Sequence, residues 1–303
     1  MSIFVNEQTR VVVQGITGKE GGRVAREMSL YGTKVVAGVT PGKGNTNTDD
    51  GIPIFDSVAY VRTRFPEINT SLIVVPARFA YDATLEAIEN RIPLIDILTE
   101  GIPVLEVARL LEQAKQAKVR IVGPSSIGII SPSRAKVGSI GSGGLDTAIF
   151  TRGPIGVMSK SGGMTAELSR ILTEHGLGQS TVVGVGGDIL IGSDFLSVAL
   201  EFQSDPETFA IVVFGEVGGM HELLLADAIQ KKQITKPVIA LIAGVFAQGL
   251  PEGTSLGHAG AIVSGGRDSA TGKMEALKDA GALIAHTPEE IPLLVRKALP
   301  LSI

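Results

Sequence analysis

A chain of 303 residues is long enough for two ordinary domains, and 44% hydrophobic content can fill a core in each. A net charge of −4 argues against nonspecific nucleic-acid binding, and the absence of cysteine excludes disulfides, thiolate metal sites and a cysteine nucleophile. No apolar run reaches ~18 residues and MSIFVNEQTR is not a signal peptide, so the expectation is a cytoplasmic protein without a membrane span.

Aromatic residues make up only 4% and Trp is absent, so Val, Ile, Leu and Ala must build the cores, as in parallel sheets covered by helices. TRVVVQ (9–14) is a short β-branched run that reads as a strand. It ends in the glycine loop GITGKEGG, after which VAREMSLYG reads as a helix closed by Gly32. KVVAGVT is a second strand, followed by PGKGN, and SLIVVPA is a third. AYDATLEAIENR is a helix, and PLIDILTEGIP is a strand running into a loop. VLEVARLLEQAKQAK carries apolar residues at i, i+3, i+4 and i+7 and is a helix; RIVGP is a further strand. This alternation predicts an α/β fold whose residues 1–130 form a Rossmann-like unit with right-handed crossovers.

From 131 to 153 the pattern fails. The segment is rich in Gly and Ser, lacks periodicity and reads as a join between domains. Alternation resumes over 154–303. PIGVMS, STVVGVGG, FAIVVFG, KPVIALIAG and ALIAH are strands. MTAELSRILTEHG, FLSVALEFQSD, HELLLADAIQKK, SATGKMEALKDAG and EEIPLLVRKAL are helices. The second half is predicted as a doubly wound, flavodoxin-like domain.

The glycine loops fall at strand ends, where open α/β sheets bind ligands. Gly15, Gly18 and Gly21 space a loop that opens a helix, either as a plain tight turn or as an anion cradle using free helical N–H groups. Their spacing is neither the dinucleotide fingerprint nor a P-loop, and no acid ends the second strand to grip a ribose, which disfavours NAD. Lys43, between glycines, is free to meet a second phosphate. Ser159 to Thr165 form a second anion-ready loop; the alternative is a helix cap by Ser161 or Gly163 with Glu167 as box partner. GVGGD (184–188) and GEVGG (215–219) look like the floor of one site. His258 lies in LGHAGAI, among residues too small to pack around it. No companion His or Cys stands at metal spacing, so no metal site is expected; a nucleophilic histidine near a helix terminus fits phosphoryl transfer. Glu216 is its candidate partner, holding the tautomer. His175, His221 and His286 read as helix-end or surface residues.

In order along the chain, QGITGKEG, YGTKVVAGVTPGKG, TEGIP, GGD, GEVGG, KPVIALIAG and GHAGAI resemble the α subunit of succinyl-CoA synthetase and related NDP-forming acid–CoA ligases. The resemblance covers nearly the whole sequence. It implies CoA bound by the first domain, with Thr17, Gly18, Lys19 and Glu20 near its phosphates, Lys43 nearby, and Leu98, Thr99 and Glu100 along it. It implies that His258 is transiently phosphorylated and that Glu216 orients it. It also implies a separate β subunit with an ATP-grasp domain that holds most of the ATP or GTP and Mg²⁺. Acid, CoA and nucleotide would yield acyl-CoA, NDP and phosphate.

Two departures concern the acid. Ser125, Ser126 and Ile127 stand where succinate enzymes have Asn-Cys-Pro. Gly163, Met164 and Ala166 stand where they have Thr, Leu and Tyr, beside Ser161 and Gly162. Ser-Gly-Gly-Met and the Ala-Tyr-Asp at 80–82 are similar to ATP-citrate lyase and citryl-CoA synthetase. The expected substrate is therefore a short acid other than succinate, such as malate, citrate or a sulfonated carboxylate. Succinate itself, a CoA-binding regulatory protein without catalysis, and a weaker NAD redox reading are the alternatives.

Overall fold

The computed structural model describes residues 2–141, 146–263 and 265–299. The first half contains β1 (Arg10–Gln14), α1 (Lys19–Tyr31), β2 (Lys34–Val39), β3 (Thr46–Asn47), β4 (Pro53–Phe55), α2 (Val58–Arg64), β5 (Thr70–Ile73), α3 (Ala77–Glu89), β6 (Leu94–Ile97), α4 (Val104–Ala117) and β7 (Arg120–Val122). Its sheet runs β3-β4-β2-β1-β5-β6-β7, with β3 antiparallel to β4 and the other pairs parallel. Without the two-residue β3, the parallel strands follow the 3-2-1-4-5-6 order of a Rossmann sheet. Helices cover both faces, which is why Val11, Val12 and Val13 form an unbroken buried apolar run and Ile95 and Ile97 are both buried on either side of Asp96. Gly32 ends α1 in the left-handed conformation, φ 100°, its N–H returning to Met28 and Ser29.

The second half contains β8 (Gly128–Ser131), β9 (Ala135–Gly138), α5 (Asp146–Ile149), β10 (Arg152–Ser159), α6 (Gly162–Glu174), β11 (Gln179–Gly184), α7 (Phe195–Ser204), β12 (Ala210–Gly215), α8 (His221–Gln230), β13 (Val238–Ile242), α9 (Ala270–Asp279), β14 (Leu283–Ala285) and α10 (Ile291–Ala298). Its order is β14-β13-β12-β10-β11-β8-β9. The five parallel strands trace the flavodoxin order 2-1-3-4-5. β8 and β9 extend it as an antiparallel hairpin.

That hairpin departs from the sequence reading, which ended the first domain at 130 and made 131–153 a join. The two strands of the hairpin are buried: Ile129, Ile130 and Val137 are sealed, and the Ser131 hydroxyl donates to the Ser180 carbonyl. The hairpin is also tied to the first half. The Thr33 hydroxyl donates to the Lys136 carbonyl and accepts from the Lys136 N–H, both at 2.8 Å, and Ser133 N–H donates to the Tyr31 hydroxyl. Residues 142–145 of the expected join lie outside the described residues. β3, β4 and α2 also went unread.

Between β7 and β8, the loop 123–127 turns through a cis Gly123–Pro124 bond. Ser125 N–H bonds the Thr99 carbonyl and Ser126 N–H the Ile97 carbonyl, docking the loop on the end of β6. Asp96 is fully buried beside it, pushed up to about 7 by burial, with the Ser126 hydroxyl opposing. Among the described residues no helix is long and apolar enough to cross a membrane.

Candidate functional site

Each sheet has a point where strand order reverses, between β1 and β5 and between β10 and β12, and a cleft opens at the carboxyl end of each. The first cleft, about 670 Å³, is bounded by Gly15, Thr17, Gly18, Val74, Pro76 and Phe79. Gly15 makes the turn possible: φ is +90°, and a Cβ there would lie 2.3 Å from the Val74 carbonyl oxygen. Gly18 precedes α1 without any side-chain cap, so the first helical N–H groups face outward. Thr17 meets Thr40 across the cleft mouth, hydroxyl to hydroxyl at 3.2 Å. Lys19 is exposed and borders the adjoining hollow. Glu20 is paired with Arg23 at 2.8 Å. Lys43 is exposed on the next loop, whose Gly42 and Gly44 N–H groups both donate to Asp56.

The second cleft, about 260 Å³, gathers Lys160, Asp188, Glu216, Gly218, His221 and Asp268 from the four successive strand-to-helix connections after β10, β11, β12 and β13. The turn at 258–261 closes with the Ala261 N–H on the His258 carbonyl. Its arms pair through Ser255 and Ile262. The turn lies flat on the glycine loop after β11: Gly260 N–H bonds the Gly187 carbonyl, and a Cβ on Gly187 would stand 2.7 Å from Cγ of His258. The small residues around His258 therefore let one loop seat on another.

Nδ1 of His258 is 2.9 and 3.1 Å from the two Glu216 oxygens. The carboxylate accepts the Nδ1–H, which leaves the Nε2 lone pair for chemistry. This hydrogen bond raises the imidazole's affinity for a proton, against partial burial. Behind Glu216 stands a buried cluster. Glu222 meets Lys160 at 2.9 Å and Lys273 at 2.5 Å, and Lys273 also donates to the carbonyls of Glu216 and Gly218. Burial pushes the Glu222 carboxyl up, but the two ammonium groups outweigh it and hold it below the usual range. Burial lowers Lys273. Asp188 is raised by burial and by the charge of Glu100, with His258 opposing.

The structure thus brings His258 and Glu216 together and carries Glu100, from the first half, into their field. Thr99 stays at the seam, donating to the Val75 carbonyl, with Leu98 half-buried beside it. Ser126 departs from the substrate role expected of it: its hydroxyl is buried, donating to the Gly184 carbonyl and accepting from Gly128 N–H. Ser125, at φ 58°, is half-buried in the same loop. Ser161 caps α6 by accepting the Met164 N–H, whereas Glu167 is bound to Arg170 and forms no capping box. Gly162 lies against Ile127; Gly163 is open and Ala166 half-buried. Sequence reasoning missed Lys160, His221, Glu222 and Lys273 as site residues. The available signal was that Lys160 directly follows β10 and that His221 opens α8 just past the glycine loop after β12.

A CoA binding domain model matches residues 6–101 and a CoA-ligase model residues 158–283. The chain is 45% identical over 299 residues to a succinate–CoA ligase [ADP-forming] subunit alpha 2 of Archaeoglobus fulgidus, covering 99% of this chain and all of that one. It is 46% identical over 301 residues to the corresponding alpha subunit of Aquifex aeolicus, covering 99% and 95%. An ATP citrate lyase from Methanothrix soehngenii, solved with citrate and coenzyme A, shares the fold at TM-score 0.90 and 23% identity; the match spans 98% of this chain and 50% of that one. With both domain models in place and identity of this extent over the full length, the chain belongs to the family of succinate–CoA ligase α subunits.

Proposed function

We propose that this chain is the α subunit of an NDP-forming acid–CoA ligase that works through a phosphohistidine at His258. The observation that carries the reading is the 2.9 Å bond from Nδ1 to Glu216, which directs the free Nε2 outward. Nε2 attacks the γ-phosphorus of ATP or GTP, forming an N–P bond as NDP leaves. A carboxylate oxygen of the acid then attacks that phosphorus; the N–P bond breaks and His258 is restored. The CoA sulfur attacks the carbonyl of the acyl phosphate, phosphate departs with the C–O bond, and the thiol proton passes to solvent or phosphate. Glu216 holds the tautomer throughout and steadies the imidazolium character that develops.

The cleft around Gly15, Thr17 and Gly18 suits CoA. Uncapped N–H groups and Lys19 and Lys43 meet its phosphates, and Val74, Pro76 and Phe79 offer apolar cover. The nucleotide and its Mg²⁺ belong on a β subunit with an ATP-grasp domain, and the setting is cytoplasmic. The acid is a short one other than succinate, such as malate, citrate or a sulfonated carboxylate; the support is the altered loop at Ser125 and Ile127 and the Ala166 position.

The complex with its β subunit should take acid-labile, base-stable label from γ-labelled nucleotide on this chain. His258→Asn should take none, while CoA affinity by calorimetry stays unchanged. Label on the variant would overturn the assignment. A panel of acids compared by kcat/KM tests the substrate: succinate as the best of them would sink the finer reading.

A further inference from the structure

We propose that His221 is a specificity-determining residue of the acid site, its Nε2–H donating to a non-reacting oxyanion of the bound acid while Lys160 balances that charge. This deepens the ligase reading and rests on it. His221 is the first residue of α8 and lines the same cleft as Glu216 and Lys160. Nδ1 is sealed from solvent without a hydrogen-bond partner among the described residues. His175 provides the contrast: its Nδ1 lies 2.8 Å from the Ile171 carbonyl, a local structural bond. No acceptor faces Nδ1 of His221, so a proton there would be a buried donor left unmade. The favoured tautomer carries the proton on Nε2. Burial, and then the charge of Lys160, holds this imidazole below its ordinary proton affinity. At neutral pH it is an uncharged donor beside an ammonium.

The charges around the cleft orient an anion. Lys160, after β10, is buried with its Nζ 5.7 Å from the Phe195 ring centroid, and Glu222 is its anchor. Asp188 after β11, Glu216 after β12 and Asp268 before α9 line the remaining wall. Glu222, next in the chain, and Asp194 before α7 raise the proton affinity of His221 by charge, and Lys273 of α9 lowers it. An acid entering here is repelled from the carboxylate side and drawn to Lys160 and His221. Its reacting carboxylate is then left toward His258. A cleft of about 260 Å³ limits it to a short chain. The class is a small acid with a second oxyanion: a dicarboxylate, a tricarboxylate or a sulfonated carboxylate.

His221→Phe keeps ring volume and removes the donor; His221→Gln keeps a donor. In complex with the β subunit, His221→Phe should label His258 from nucleotide alone within about twofold of wild type. It should raise KM for the preferred acid among succinate, malate and citrate at least about tenfold and leave propionate unchanged. His221→Gln should recover part of the loss. Labelling lost in step with acid use would assign His221 to the phosphoryl group or the fold, and an unchanged KM would remove it from the site; either overturns the proposal. If wild type takes no label, the phosphohistidine reading fails by itself. The imidazole ¹⁵N shift of His221 on titration with the same acids still decides this one, and an unmoved shift overturns it.

Discussion

The two clefts occupy the same topological position in two sheets of different order, yet they are built from opposite materials. The first is a surface of uncapped backbone N–H groups with Thr17, Lys19 and Lys43 in solvent, and its ion pairs, Glu20–Arg23 and Arg26–Asp50, are solvent-exposed. The second stacks Lys160, Glu222 and Lys273 out of water and rests Glu216 and His258 on them. Groups with perturbed proton affinity gather around the second, His258, His221, Asp188, Glu222 and Lys273, whereas the first has Glu86, its carboxyl raised by burial. Holding a flexible polyanion needs reach and exposed charge. Transferring a phosphoryl group, the role proposed for the second, needs fixed dipoles that do not reorganise, and burial provides them.

The largest effect that sharpens this contrast is on folding. Lys273→Met leaves Glu222 with one of its two cations and the Glu216 and Gly218 carbonyls without their donor, and should cost about 3–5 kcal/mol. Arg26→Ala removes the exposed pair of the first half and should leave the denaturation midpoint unmoved. Equal midpoints for both variants would break the contrast. Glu216→Gln comes next. Phosphoryl acceptance needs the neutral ring, so label incorporation rises as pH climbs through the raised His258 value. The variant should move that acid limb to lower pH and cut the plateau about 10²-fold. The His258–Glu216 contribution to stability has the opposite slope: complete below the unfolded value of 6.5, it is lost as pH rises through the folded one. A limb that stays in place would detach Glu216 from the shift. The smallest effect belongs to the first cleft. Lys43→Glu should weaken CoA binding about 3–10-fold, and added salt should erase the difference, since the charge is in water. Insensitivity to salt would mean that Lys43 acts through the loop held by Asp56.

What was legible in the sequence followed from local pattern. Apolar runs such as VVV at 11–13 had to be strands buried on both faces, and the glycine loops after β11 and β12 had to meet at one end of a parallel sheet. His258 and Glu216 could be paired because both lie on such loops. The hairpin β8–β9 was illegible because Gly and Ser hide its period, and its polar residues are satisfied only by distant partners such as Ser180 and Thr33. Lys160, Glu222 and Lys273 could not be joined in advance, since residues 160 and 273 meet only through the side chain of 222. His221 gave no signal beyond its place at a helix start. Ser126 misled because its hydroxyl closes a loop that sequence alone shows merely as polar.

The hairpin also constrains how such a chain can be recombined. It hydrogen-bonds into the second sheet while Thr33 and Tyr31 grip it from the first, so neither half has a free boundary. A crossover point for a chimera with a relative has only residues 123–127 to fall in, and that loop is itself fastened to Ile97 and Thr99 on one side and Gly184 on the other. The two sheets are thereby fastened into a single part.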